Sequence, residues 1–157
     1  MSELRIGLGV DAHAFADGVP LVLGGIRFDH PRGLAGHSDG DVVTHALIDA
    51  VLGAAGLGDI GTLFPSDAST PAGIDSVELL RGAVERVRGA GYRLVNADCV
   101  LIGQEPRLAD RRDELQTRLS EAAGGPVSVR ATTTDRLGFT GRGEGLAAHA
   151  ICLLERT

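Results

Sequence analysis

The run Leu4 to Val10 is rich in apolar residues and predicts a strand. After it, "VPLVLGGIRFDH" (Val19–His30) predicts two short strands hinged at Gly24-Gly25. From Ser38 to Leu57 the period lengthens. Val42, Ala46, Ile48, Val51, Leu52 and Ala55 recur near the helical repeat, and Ser38 or Asp39 would serve as the N-cap. A second helix is predicted over Ser76 to Gly89, with Val77, Leu80, Ala83, Val84 and Val87 on one face. "YRLVNADCVLIG" (Tyr92–Gly103) predicts a strand, followed by a helix opening near Pro106, a residue suited to a first helical turn. "PVSVRATTT" (Pro126–Thr134) and "GLAAHAICLLE" (Gly145–Glu155) predict two closing strands. Strands and helices alternate loosely after an early hairpin. That order favours a two-layer α/β (α+β) sandwich, a mixed sheet packed on helices, over a doubly wound fold.

Composition narrows this picture. At 157 residues, with no internal repeat and no linker, the chain is expected to form a single domain over residues 1–157. Aromatic residues make up only 3%, so the core must be built from Val, Leu, Ile and Ala. The 23 glycines leave many places where backbone can turn or approach closely. No apolar stretch is long enough to span a bilayer, and the N-terminus lacks the pattern of a signal peptide. No membrane association is expected, and the expected location is cytoplasmic. A formal charge of −6 argues against broad nucleic-acid binding, which draws on clustered Lys and Arg. Cys99 and Cys152 both sit in apolar runs and read as buried thiols of a reducing compartment.

Charge within the apolar runs points to chemistry. If the first strand continues past Val10, Asp11 and His13 point to one face, because strand side chains alternate. In "AGHSDGDVVTHALIDA" (Ala35–Ala50), Asp41, His45 and Asp49 are four apart and would share a helix face, with His37 just before it. A single helical His is more often an ordinary core or surface residue than a ligand. Bringing the strand against the helix changes that balance, because Asp11, His13 and His45 then offer two imidazoles, one carboxylate and an open position. This set suits catalytic zinc and equally a non-haem Fe(II) triad. "GDIGTLFPSD" (Gly58–Asp67) reads by itself as a helix-to-loop exit with a Gly C-cap.

The strongest local signal is "RATTTDRLGFTGRGEG" (Arg130–Gly145). Three threonines at a strand end offer hydroxyls and amides to an anion. Asp135 could hold a hard cation such as Mg²⁺. Gly138, Gly141, Gly143 and Gly145 permit close backbone approach, and Arg142 can clamp a phosphate. The spacing is neither a Walker loop nor a dinucleotide fingerprint. It reads as a site for phosphates with a divalent cation.

Together, "HSDGDVVTHALIDAVLGAAGLGDIGTLFP" and "ATTTDRLGFTGRGEG" closely resemble the 2-C-methyl-D-erythritol 2,4-cyclodiphosphate synthase family of the non-mevalonate isoprenoid pathway. The resemblance runs from "RIGLGVDAH" to the final strand. It implies an α/β homotrimer with active sites between subunits, and zinc on Asp11, His13 and His45. His37 and Ser38 match the loop bordering the methylerythritol phosphate. Asp59 and Gly61 match contacts to the methylerythritol part, and Phe64, Pro65, Ser66 and Asp67 continue that wall. "GQEPRLA", comprising Gly103, Gln104, Glu105, Pro106, Arg107, Leu108 and Ala109, matches the segment receiving the cytidine end. Thr132, Thr133, Thr134 and Asp135 match the phosphate and second-metal segment, with Mg²⁺ or Mn²⁺ at Asp135. Phe139 and Arg142 match further substrate contacts.

The implied substrate is 4-diphosphocytidyl-2-C-methyl-D-erythritol 2-phosphate, cyclised with release of CMP. Thr133 and His37 would help stabilise the transition state. Family members often carry Glu where this chain has Asp135, His where it has Leu8, and Glu near the trimer axis where it has His149. Two other readings compete. A zinc hydrolase would want a nearby base, and no Glu lies in the stretches supplying Asp11, His13 or His45. A non-catalytic trimeric binding protein would be marked by a lost ligand or a broken "TTTD", and neither is broken.

Overall fold

The computed structural model describes residues 1–157. Its centre is a five-stranded sheet in the order β4-β1-β7-β5-β6. The strands are β1 (Leu4–Asp17), β4 (Arg32–Leu34), β5 (Tyr92–Ile102), β6 (Val127–Thr132) and β7 (Gly145–Arg156). A separate hairpin joins β2 (Leu21–Leu23) to β3 (Ile26–Phe28) around Gly24 and Gly25, both at positive φ, as the two-strand reading expects. β1 runs antiparallel to β7 from Leu4↔Glu155 to Ala14↔Gly145, and β5 lies antiparallel on the other side of β7. Only β5 and β6 are parallel, so the sheet is mixed. Their crossover is α4 (Arg112–Ala123), as a parallel pair requires.

Helices α1 (Val42–Ala55), α3 (Ser76–Gly89) and α4 cover one face of the sheet. The core between the layers is aliphatic, including Leu47, Ile48, Leu80, Leu101, Leu115, Leu119, Leu146 and Leu154, with Phe28 and Tyr92 its buried aromatics. Cys99 and Cys152 are both buried, and burial pushes their thiols up to about 12 and about 11. α3 matches its predicted span: Asp75 caps it, Glu78 lies in the first turn, and Arg86 and Arg88 lie in the last.

Some boundaries differ from expectation. The first strand continues through Asp17, because the ladder to β7 and then to β4 carries it past Val10. α1 starts at Val42, since Asp41 rather than Ser38 or Asp39 caps it. No helix opens at Pro106. That residue follows a cis peptide bond, a 3-10 turn spans Ala109–Arg111, and α4 begins at Arg112 with Asp113 and Glu114 in its first turn. The strand β4 and the one-turn helices α2 (Ile60–Leu63) and α5 (Gly138–Gly141) are too short to leave a periodic signal. No helix is long and apolar enough to cross a membrane.

One contact sets up the site. Along β1, Gly7, Gly9, Asp11 and His13 share the face turned to α1. A Cβ at Gly7 would collide with the carbonyl of Ala50, and one at Gly9 with that of Ala46. The bare glycines let the helix backbone settle onto the strand. The opposite face of the same strands presents Ile6, Leu8, Val10 and Ile151, each about half exposed or more.

Candidate active site

Because α1 lies so close to β1, His45 projects onto the pair formed by Asp11 and His13. Asp11 Oδ2 is 2.7 Å from His13 Nε2 and 3.1 Å from His45 Nδ1, and the two ring nitrogens are 3.2 Å apart. The three donors form a compact set that could hold a metal ion. A tetrahedral zinc with bonds of about 2.0–2.1 Å separates its ligand atoms by about 3.3 Å. The distances here fall just inside that edge, so the donor set fits the ion in type and in size. Burial alone would raise the Asp11 carboxyl. The His13 and His45 imidazoles beside it outweigh burial and hold the group at about 2. The same contact with Asp11 raises His13. Asp11 thus meets an incoming cation as a carboxylate.

The two other acids of the predicted helix face do not join this set. Asp41 lies before the helix rather than on it. Its carboxylate turns back to accept from Thr44 N (3.0 Å) and from Gly24 N and Gly25 N of the β2–β3 turn (2.9 and 2.7 Å). Asp49 accepts from Ile60 N at 2.7 Å and so anchors the start of α2.

A cavity of about 160 Å³ opens over the donor set. Asp11, His13, His37, Ser38, His45, Gly61, Phe64 and Ser66 line it, all expected from the sequence. Ile60, Thr70 and Leu79 line it as well and carry no sequence signal, being ordinary residues brought in by folding. His37 Nε2 donates to the carbonyl of Thr70 at 2.6 Å, fixing that ring against the loop after α2. Asp59 stands beside the cavity as the cap of α2, accepting from Thr62 N and Thr62 Oγ1, each at 2.8 Å. Asp67 is likewise engaged in its own turn, accepting from Ser69 N at 2.8 Å. Neither Pro65 nor Asp67 lines the cavity.

The remaining expected residues gather elsewhere. β5 and β6 end side by side, and Gly103 N donates to Thr132 O at 3.0 Å, joining the Gly103–Ala109 segment to Thr132–Asp135. Asp135 and Arg136 are left-handed, at φ +50 and +67, and Thr133 Oγ1 lies 3.4 Å from Asp135 Oδ1. Thr134 Oγ1 donates to Leu137 O at 2.7 Å, closing the turn into α5. Leu108 is buried in the core, whereas Arg107 and Ala109 are exposed. Pro106, just before Arg107, is half-buried. A second cavity of about 340 Å³ includes Gln104, Glu105, Arg136 and Arg142, with Phe139 exposed nearby in sequence. Arg142 pairs with Glu144 at 3.1 Å. No residue of Gly103–Ala109 or Thr132–Asp135 lines the cavity over Asp11, His13 and His45.

Comparison with known proteins places this geometry. The model of the YgbB family matches residues 4–155. A 2-C-methyl-D-erythritol 2,4-cyclodiphosphate synthase of Rubrobacter xylanophilus is 54% identical, with 99% of this chain and 98% of that one covered. Its counterpart in Marinobacter nauticus is 50% identical, over 97% and 98%. Among solved structures, the Plasmodium falciparum IspF complex with CDP superposes with a TM-score of 0.85 at 30% identity, covering 100% of this chain and 99% of that one. The bifunctional IspDF of Campylobacter jejuni gives a TM-score of 0.95 at 40% identity; this chain is fully covered but spans only 43% of that protein. The chain belongs to the YgbB family, the family of the 2-C-methyl-D-erythritol 2,4-cyclodiphosphate synthases.

Proposed function

We propose that this chain is a metal-dependent, CMP-releasing lyase that makes 2-C-methyl-D-erythritol 2,4-cyclodiphosphate from 4-diphosphocytidyl-2-C-methyl-D-erythritol 2-phosphate. The observation that carries the reading is the Asp11–His13–His45 donor set at the floor of a cavity, in a chain about half identical to synthases of that name. In the reaction an oxygen of the 2-phosphate attacks the β-phosphorus. The bond from the β-phosphorus to the bridging oxygen breaks, and CMP leaves with that oxygen. The attacking oxygen is already ionised near neutral pH, so the chain needs no strong base. It must fold the substrate so that its two ends meet, which removes roughly 7–11 kcal/mol of barrier in favourable intramolecular cases.

Zinc on Asp11, His13 and His45 would supply Lewis-acid polarisation of a phosphate oxygen. Ser38 offers a hydroxyl at the same cavity. His37, whose Nε2–H is committed to Thr70 O, faces a phosphate as a donor only when its Nδ1 is also protonated. Asp59, Gly61 and the Phe64–Asp67 turn take the methylerythritol part. The Gly103–Ala109 segment takes the cytidine end, and Thr132–Asp135 takes the phosphates, with Thr133 at the transition state and Phe139 and Arg142 at its margin. The CDP complexes of related structures favour a cytidine nucleotide as the ligand. Asp135 is a lone carboxylate beside a hydroxyl, suited to Mg²⁺ or Mn²⁺, hard cations that keep much of their water.

Within one chain the metal cavity and the nucleotide segments are separate. We propose that a homotrimer joins them, with each active site shared by neighbouring copies of the whole 1–157 domain. The exposed stripe of Ile6, Leu8, Val10 and Ile151 supports this reading, because so much apolar surface calls for a covering partner.

The test is ³¹P NMR of the purified protein with substrate and Mg²⁺, with and without a zinc chelator. The expected result is CMP and a cyclic diphosphate, lost on chelation and lost in a folded His45→Ala variant. CMP with an acyclic bisphosphate, or inorganic phosphate, as the product would make the protein a hydrolase. Unchanged substrate from folded, zinc-loaded protein would make it a binding protein.

A further inference from the structure

His45 has two ring nitrogens in two different environments. Nδ1 faces Asp11 and His13, as described above. Nε2 lies 2.7 Å from Ser76 Oγ and 2.9 Å from Ser38 Oγ. Ser76 opens α3 and is fully buried. Its hydroxyl is hydrogen-bonded to Asp39 Oδ1, and its backbone N–H donates to Asp39 Oδ2 at 2.9 Å. Asp39 Oδ1 also accepts from Asp41 N at 3.1 Å, which fixes the carboxylate in place.

Counting protons along this chain gives one arrangement. A carboxylate only accepts, so the single hydroxyl proton of Ser76 goes to Asp39. Ser76 Oγ is then left to accept from His45, and the ring must carry its proton on Nε2. With a metal bound, Nδ1 is bare and turns its lone pair to the ion; without one, Asp11 Oδ2 lies 3.1 Å away and accepts any proton Nδ1 carries, so a proton on Nε2 is the mark of this arrangement. We propose that Asp39 and Ser76 are positioning residues that hold His45 in its Nε2–H form and aim Nδ1 at the metal. A carboxylate reached through a hydroxyl here does the work that a carboxylate or carbonyl often does directly for a metal-bound histidine. The proposal rests on the reading of His45 as a metal ligand, but the protonated nitrogen of the metal-free ring can be measured without any metal.

Asp39→Asn is the informative variant. It keeps the shape, and with its amide oxygen accepting from Ser76 N the NH₂ takes the place of Oδ1, so the Asp41 N–H loses its acceptor. That NH₂ now donates to Ser76 Oγ, which frees the Ser76 proton for His45 Nε2 and drives the ring to the Nδ1–H form. Two measurements on full-length protein test this. Side-chain ¹H–¹⁵N correlation spectra of metal-free protein should show His45 protonated on Nε2 in the wild type and on Nδ1 in Asp39→Asn. Competition with a chromogenic chelator should show zinc held about 10–100-fold more weakly by Asp39→Asn. Ser76→Ala should weaken zinc in the same range. A wild-type His45 carrying its proton on Nδ1 alone would overturn the proposal whatever the variants do. So would unchanged zinc affinity and an unchanged Nε2–H signal in Asp39→Asn. A wild type with the Nε2–H signal that binds no zinc would overturn the metal reading and leave the proton arrangement standing.

Discussion

At Asp41 a single buried side chain accepts four hydrogen bonds, from Gly24 N, Gly25 N, Thr44 N and Thr44 Oγ1. It caps α1 and ties the β2–β3 turn to it, four residues before His45. Burial is the largest influence on the group and, with the nearby Asp39 charge, pushes its carboxyl up against the hydrogen bonds from Thr44 and Gly25. Asp41→Ala would leave several buried N–H groups unpaired, and we expect it to cost on the order of 3 kcal/mol. Urea denaturation of the metal-free protein checks this; a loss below about 0.5 kcal/mol would mean that water replaces the carboxylate. The sequence misleads at this residue. The four-residue spacing that puts Asp41 and His45 on one face holds only inside a helix, and a cap lies outside it. The grouping of the candidate metal donors, by contrast, is legible in part, because alternation along a strand is enough to pair Asp11 with His13. The Asp39–Ser76 contact was not, since it spans 37 residues and neither residue type marks a partner.

At the level of elements, the position of α1 over β1 depends on what two glycines lack. Gly9→Ala would drive a methyl into the Ala46 carbonyl, and the helix would have to lift away from the strand. We expect a loss of about 1–3 kcal/mol, together with weaker zinc binding as His45 moves with the helix. Gly53→Ala is the control. It lies on the exposed side of the same helix, nothing approaches its missing Cβ, and its φ is not positive. That change should stabilise by about 0.5–1 kcal/mol. Thermal unfolding of both variants reads the contrast, and equal shifts would refute the close-approach account. Legibility here followed length. α3 and the hairpin were read correctly from periodicity and turn residues. β4, α2 and α5 were too short to repeat a pattern, and Pro106 suggested a helix start that the turn before α4 displaces.

For the whole molecule, the uncovered face of the sheet is where the proposed trimer would join. Ile6, Leu8, Val10 and Ile151 form a stripe across β1 and β7, with His149 opposite Val10. Leu8→Arg places a charge in that stripe without touching the core. We expect a folded monomer by circular dichroism and sedimentation, with activity lost because each chain keeps its metal cavity but has no neighbour to complete the site. A wild-type protein that sediments as a monomer, or an active monomeric variant, would rule out sites shared between subunits. Alternation along β1 announces an apolar face in the sequence, but symmetry does not show in one chain. The trimer was therefore expected only from family resemblance.

The order of the sheet also has a consequence in time. β1 is made early, yet its long ladder is with β7, which begins at Gly145. At ordinary rates of translation the intervening chain takes on the order of 10 s to synthesise. Throughout that interval the nascent β1 carries an unpaired edge and an apolar stripe that nothing can yet cover. Its alternating glycines, which suit the finished sheet, also make the waiting segment a poor template for aggregation. A ribosome-bound intermediate should therefore gain protection from proteolysis around β1 and α1 together, and only once β7 has emerged.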